Sequence, residues 1–318
     1  MSSSNSADDV LCEDVGNKGV MTLNRPKALN SLNLSMVSKI LPKLTEWEKE
    51  KSLVIVKGSG GKAFCAGGDV REVTVASKNK ETTGKEFFRK EYTMNHLIGT
   101  YKIPYIALID GITMGGGVGM SVHGKYRVST EKTLFAMPET IIGLFPDVGG
   151  THFLPRLKHH LGTYLALCGT RLKGYELVQA GIATHYCPSE KIPELEKALL
   201  SCDDPGSILQ KFCTNPSDVK FSLEPHLQKI DQIFSADTVE EIFSRLQKDG
   251  SPWSQETFTT LQKMCPLSLK VSLEAVRRGK NLNLAECLKM EYRLANACCD
   301  GHNFIEGKHS ESKILITS

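Results

Sequence analysis

No apolar run in this 318-residue sequence approaches the roughly 20 residues that cross a bilayer, so no transmembrane helix and no membrane partner are expected. The first residues, Met1-Ser2-Ser3-Ser4-Asn5-Ser6-Ala7-Asp8-Asp9, lack the apolar core of a secretory signal. They are acidic and lack arginine, which also makes a poor organellar transit peptide, and residues 1–9 read as a disordered lead-in. Excess charge of one sign is scarce as well. A net charge of +3 is too small for a general nucleic-acid binder, so an anionic ligand would need positive charge concentrated locally. The ten cysteines form no Cys-x-x-Cys pair, and their irregular spacing excludes a disulfide scaffold. They read as free thiols in a reducing compartment. There is no His-Glu-x-x-His, and the neighbours His159-His160 would point different ways on a helix, so no metal is expected.

What is present is an ordinary globular composition, 40% hydrophobic and 24% charged, in a chain long enough for one large domain or two modest ones. Val20–Leu23, Leu53–Val56 and Tyr105–Ile109 read as strands. Between the first two, Met36, Ile40, Leu44 and Trp47 share one helical face, and Pro42 either kinks that helix or marks its start. Residues 85–99 read as another helix. Near-continuous apolar strands alternating with helices indicate α/β layers. From about residue 190 strand signals give way to helical ones. Val239, Ile242, Phe243 and Leu246 form a stripe behind a Thr238/Glu241 capping box, and a helix is expected to stop near Pro266. Asp203–Gly206 and Asn215–Asp218 look like loops. The expected organisation is a core over 10–200, a helical region over 201–307 and an atypical tail over 308–318.

Three segments could carry chemistry: Gly60–Asp69 after one strand, Gly111–Gly119 after another, and Met137–Gly150. Glycine runs after strands let backbone approach a ligand and aim unpaired N–H groups at it; tight turns and close packing are the bland alternative. A dinucleotide fingerprint is excluded, because after Gly115 and Gly117 the third glycine position is Met120. Two such loops could each give one N–H to a single oxygen, as in an oxyanion hole, where one donor is typically worth about 3 kcal/mol.

Asn24-Arg25-Pro26-Lys27-Ala28-Leu29-Asn30, the Ala63–Asp69 loop, the Gly115–Gly117 run and Pro138–Gly150 occur in the order seen in the crotonase superfamily, which the sequence resembles. The resemblance implies an α/β crotonase-like spiral of ββα units followed by an α-helical C-terminal region. It implies oxyanion donors at Gly68 and Gly116, and CoA contacts at Lys27, Ala28, Lys62 and Ala66. Lys62 could equally be a plain surface lysine. Enoyl-CoA hydratases of the superfamily carry a glutamate two residues after the glycine triplet, where this sequence has Gly119, and usually glycine where it has Asp147. Hydration is therefore disfavoured.

The Pro138-Glu139-Thr140 to Gly150 pattern, with Phe87–Tyr92 and Arg171–Gly174, looks like the 3-hydroxyisobutyryl-CoA hydrolase branch. That resemblance implies thioester hydrolysis in valine breakdown, also on 3-hydroxypropionyl-CoA, and a mitochondrial location. It places Glu91, Gly116, Glu139 and Asp147 on the substrate, with Glu139 as nucleophile or water-activating base and Asp147 on the 3-hydroxyl; the two roles could be exchanged. The bland readings are a helix-start glutamate, a turn aspartate and, for Glu91 in Arg89-Lys90-Glu91, a solvated helix face. Cys65, with no histidine as its base, reads as packing. No cofactor is implied, CoA being part of the substrate, and a homo-oligomer is compatible with the family. After His302–Gly307 the hydrolases continue with a Val-Arg-Ala helix and a basic, Trp-containing tail, whereas this sequence runs Lys308–Lys313 and ends at Ser318. An alternatively ended, weakly catalytic CoA-binding scaffold is the competing expectation, with a hydratase/isomerase-type enzyme as the other.

Overall fold

The structure, a computed structural model, describes residues 9–69, 72 and 82–301. The expected lead-in up to Asp8 and everything from His302 onward, including the atypical tail, lie outside the described residues. The described parts of Met1–Asp69, Thr93–Phe135 and Leu172–Lys220 form one compact unit; those of Val70–Tyr92, Ala136–Arg171 and Phe221–Ser318 form another.

The first unit carries the strands. Among the described residues these are β1 (Val10–Val15), β2 (Lys18–Leu23), β3 (Leu53–Gly58), β4 (Ala63–Cys65), β5 (Tyr105–Ile109), β6 (Ile112–Met114), β7 (Tyr126–Ser129), β8 (Leu134–Ala136), β9 (Leu172–Lys173) and β10 (His185–Tyr186). One sheet runs β1-β2-β3-β5-β7-β10 and the other β4-β6-β8-β9. Only β1 is antiparallel in the larger sheet; β2, β3, β5, β7 and β10 are parallel neighbours. Strands buried on both faces need apolar residues at successive positions, which Leu53–Val56 and Tyr105–Ile109 supply. The three strands read from sequence are therefore β2, β3 and β5. The helix Leu34–Glu50 opens at Asn33, whose side chain accepts from the Met36 N–H at 2.9 Å, and buries Met36, Ile40, Leu44 and Trp47. Pro42 sits inside it, so it does not mark the start. Asp9, counted in the lead-in from sequence, is buried and pairs with Lys39.

The second unit is helical. The Val239–Asp249 helix is capped at Thr238, whose side chain accepts from the Glu241 N–H, but Glu241 turns its carboxylate to Arg245 rather than back. The reciprocal capping box lies at Asn283 and Glu286 instead, opening the helix Leu284–Asp300. One helix ends at Gln262, and Pro266 opens the next as its first residue. In the first unit Asp204, expected in a loop, caps the helix Pro205–Phe212. No helix among the described residues is long and apolar enough to cross a membrane.

Candidate active site

The first unit contains a pair of converging glycine loops. β4 and β6 are parallel neighbours, with Ala63 opposite Ile112 and Cys65 opposite Thr113, so the chain leaves both strands at the same end. Leu32 bridges to the loop after β4: its N–H donates to the Gly67 carbonyl at 2.8 Å, and its carbonyl accepts from the Asp69 N–H at 2.6 Å. In that parallel pattern the N–H of Gly68 itself points away from Leu32. Gly116 is the first residue of the helix Gly116–Gly119, where an N–H has no acceptor in its own helix. Neither N–H meets a hydrogen-bond acceptor among the described residues.

Glycine is required at two points here. Gly115 adopts φ 42, ψ −116, which L side chains rarely reach, and a Cβ on Gly117 would lie 2.0 Å from the Cys65 carbonyl oxygen. That near-contact presses the helix start of one loop onto the backbone of the other. Cys65 itself is buried, its thiol directed at the Gly67 carbonyl at 3.6 Å.

The residues assigned to CoA cluster beside these loops. Lys27 and Ala28 lie on a 3-10 turn, Pro26–Ala28, and the Ala66 N–H donates to the adjacent Leu29 carbonyl at 3.0 Å. Asn30 pins this turn: its Nδ2 donates to the Ser59 and Ala63 carbonyls at 2.9 and 2.8 Å, and its Oδ1 accepts from the Arg25 N–H. Asn tolerates the left-handed φ of 56 found there. Lys27 and Lys62 are exposed, while Ala28, Ala66 and Gly68 are half-buried. Arg25 and Asp69 form an ion pair at 3.0 Å.

The second unit gathers the carboxylates. Glu91 comes from the helix Thr83–Gly99, Glu139 opens the 3-10 turn Glu139–Ile142, and Asp147 lies in the turn before Gly149. They are 2%, 5% and 4% exposed, which removes the solvated-face reading of Glu91. Oε1 of Glu91 and Oε2 of Glu139 are buried with no hydrogen-bond partner among the described residues. Such orphaned oxygens are costly and are expected where a ligand completes them. Burial pushes the Glu91 carboxyl well up, and the charges of Asp147, Glu139 and Glu291 push it further. Burial does the same to Glu139, followed by the charge of Asp147 and opposed by a backbone hydrogen bond. Burial raises Asp147 as well, but only to about 6, because the Tyr92 hydroxyl, donating to its Oδ2 at 2.6 Å, favours the charged form. All three are therefore weaker acids than exposed carboxyls, as suits groups that pass protons.

Two members of this cluster escaped the sequence reading of roles. Tyr92 lies next to Glu91, and Glu291 is the one carboxylate on the buried face Cys287, Leu288, Glu291, Ala295, Cys299. A glutamate interrupting an apolar stripe at helical spacing was the available signal for the second. Position 119, in the helix Gly116–Gly119, is buried and bears no side chain to move a proton. His160, outside this cluster, pairs with Asp231 at 2.8 Å.

A family model described as enoyl-CoA hydratase/isomerase matches residues 18–311. The "3-hydroxyisobutyryl-CoA hydrolase, mitochondrial" of Homo sapiens is 53% identical over 311 residues, 95% of this chain and 81% of that protein. The protein of the same name from Danio rerio is 51% identical, over 96% of this chain and 83% of its own. Among solved structures, a carnitinyl-CoA dehydratase from Mycobacterium thermoresistibile matches with a TM-score of 0.92 at 37% identity, over 96% of this chain and 89% of its own. The crotonase-type fold expected from the sequence is the fold these likenesses show.

Proposed function

The chain belongs to the enoyl-CoA hydratase/isomerase family, and within it we propose that it hydrolyses 3-hydroxyisobutyryl-CoA to the free acid and CoA. The curated relatives at 50–53% identity carry that activity, and a mitochondrial location, in their names. The observation that supports it most directly is the pairing of Glu139, buried with an unpartnered oxygen, with Asp147, in a chain whose position 119 is glycine. The enoyl-CoA hydratases that this chain resembles carry a glutamate where it has Gly119. This chain instead offers a carboxylate two residues before Gly149.

The chemistry proceeds as follows. The thioester carbonyl oxygen gains negative charge as a nucleophile adds, and the N–H groups of Gly68 and Gly116 are the donors proposed to meet it. Glu139 takes a proton from water, or attacks directly and is released by water in a second step. A raised pKa makes its ionised form a stronger base than an exposed glutamate. On the water route the C–S bond then breaks and the thiolate takes up the proton that Glu139 abstracted. On the direct route the C–S bond breaks as the mixed anhydride forms, and the thiolate is protonated by the water that afterwards hydrolyses the anhydride. Asp147, steadied by Tyr92, accepts from the 3-hydroxyl of the acyl group and so selects 3-hydroxy acids, 3-hydroxypropionate included. Lys27, Ala28, Lys62 and Ala66 line the CoA portion. The reaction as proposed takes an acyl-CoA as its small-molecule partner and uses no cofactor, the CoA being substrate. The valine-breakdown role, mitochondrial location and homo-oligomeric assembly follow the family reading.

The test offers the purified protein 3-hydroxyisobutyryl-CoA and crotonyl-CoA side by side. Free thiol released from the first, with no loss of the crotonyl double bond in the second, is expected. Hydration of crotonyl-CoA without thiol release would overturn the reading, and CoA binding without either reaction would make the protein a scaffold.

A further inference from the structure

Glu291 is a buried carboxylate of the second unit that accepts three hydrogen bonds, and the reaction proposed above gives it no part. It is 0% exposed on the helix Leu284–Asp300, whose start is fixed by the Asn283/Glu286 capping box. Its Oε2 accepts from the Gly149 N–H at 2.7 Å, and its Oε1 accepts from the Thr151 N–H at 3.0 Å and the Thr151 hydroxyl at 2.6 Å. Two of the three donors are backbone groups of the turn that directly follows Asp147.

That turn is strained. Val148 adopts φ 51, a left-handed conformation that a β-branched residue strongly avoids, and Gly149 follows at φ 82. The Gly150 N–H closes on the Asp147 carbonyl at 2.6 Å. From another side Gly279 packs so closely on Thr151 that a Cβ there would lie 1.9 Å from the Thr151 carbonyl oxygen. A strained residue adjoining a candidate catalytic side chain persists only where its surroundings over-determine it. The Glu291 carboxylate does so by gripping the backbone immediately beyond the strained residue.

An apolar side chain would fill the same buried position at lower desolvation cost, so fold stability alone does not account for a carboxylate here. We propose that Glu291 is a positioning residue for the hydrolysis: it locks the Val148–Thr151 turn and thereby aims the Asp147 carboxylate. The inference rests on Asp147 acting in the reaction. Among the described residues, the titratable groups within electrostatic reach of Glu291 are Asp147, Glu91, Tyr92 and Cys287. Burial raises Glu291 itself to about 8, against the opposing hydrogen bonds from Thr151 and Gly149.

Glu291→Gln preserves the volume but can turn only one oxygen to the turn, leaving an amide NH2 against one of the donors. The experiment compares this variant, and the milder Thr151→Val, with the unmodified chain. Three readings are taken: kcat and KM for 3-hydroxyisobutyryl-CoA, the pH profile of kcat/KM, and amide hydrogen exchange over residues 147–151. In E291Q kcat is expected to fall about 100-fold with KM little changed, since displacement of a reacting group by about 1 Å costs that much. The profile keeps its acidic limb and changes above about pH 7, where the Glu291 carboxyl, raised to about 8, would otherwise ionise beside Asp147. Exchange at 149–151 speeds up. T151V gives the same changes in smaller measure. Unchanged kcat, profile and exchange in E291Q would overturn the proposal, and if E291Q does not fold, unchanged readings in T151V would. Should the unmodified chain release no CoA, the hydrolase reading falls. The exchange comparison then decides the lock alone, with unaltered protection refuting it.

Discussion

Replacing Asp147 by Asn should make the protein more stable above pH 6 while removing its turnover. Asp147 is 4% exposed, and burial lifts its carboxyl from an ordinary 3.8 to about 6. A folded-state pKa above the unfolded one means that charging the group opposes folding. The stability this carboxyl allows is complete below pH 3.8 and is lost as pH rises through about 6. The gap of about two pH units, at about 1.4 kcal/mol each, makes the charged group cost about 3 kcal/mol at pH 8. Asn has no charge to bury, and its amide oxygen can still accept from Tyr92, at a loss of about 1 kcal/mol for the charge-assisted part of that bond. The net gain is about 2 kcal/mol at pH 8, turning to a small loss at pH 4. With an unfolding entropy near 2.1 cal/mol/K per residue over 318 residues, 2 kcal/mol corresponds to a rise in Tm of about 3 °C. Calorimetry of both proteins at pH 4, 6 and 8 measures it. A Tm difference independent of pH, or a variant less stable at pH 8, would refute the claim that Asp147 is ionised at a cost in the fold.

Three other perturbations probe separate parts of the account. Tyr92→Phe removes the donor that holds Asp147 down, so the acidic limb of kcat/KM should move to higher pH and kcat should fall about tenfold; an unmoved limb would separate Tyr92 from the chemistry. Gly117→Ala puts a Cβ 2.0 Å from the Cys65 carbonyl oxygen, forcing the two glycine loops apart at a cost of about 3 kcal/mol, and a native Tm with full turnover would contradict their close approach. Lys62→Ala, at an exposed position, should raise KM for acyl-CoA with kcat unchanged and stability altered by less than about 0.5 kcal/mol; an unchanged KM would return Lys62 to the plain surface.

The parts of this fold legible in sequence are those governed by short-range pattern. Leu53–Val56 and Tyr105–Ile109 read as buried strands because they are short apolar runs rich in β-branched residues, and Met36, Ile40, Leu44 and Trp47 mark one helix face by their spacing. The three-residue strands β4 and β6 carry too few positions for a period to register, yet they bring the two glycine loops side by side. The placement of Gly68 depends on a bridge to Leu32, 36 positions away, that no local rule anticipates. Glu91 reads as solvated because Arg89 and Lys90 flank it, but residues two apart on a helix face different ways; Arg89 is exposed while Glu91 is buried. The Tyr92–Asp147 bond joins residues 55 apart, and the grip of Glu291 on Gly149 spans 142. Such contacts are set by tertiary packing, so the sequence could name the carboxylates without showing what steadies them.

The central claim is that a buried Glu139 drives cleavage of a 3-hydroxyacyl thioester. Its most direct test follows free CoA from 3-hydroxyisobutyryl-CoA with a thiol reagent, for the unmodified chain and for Glu139→Gln at equal folded concentration. The account predicts steady release by the first and a loss of about 1,000-fold or more in the second, with substrate still bound. Equal rates from the two proteins would contradict it.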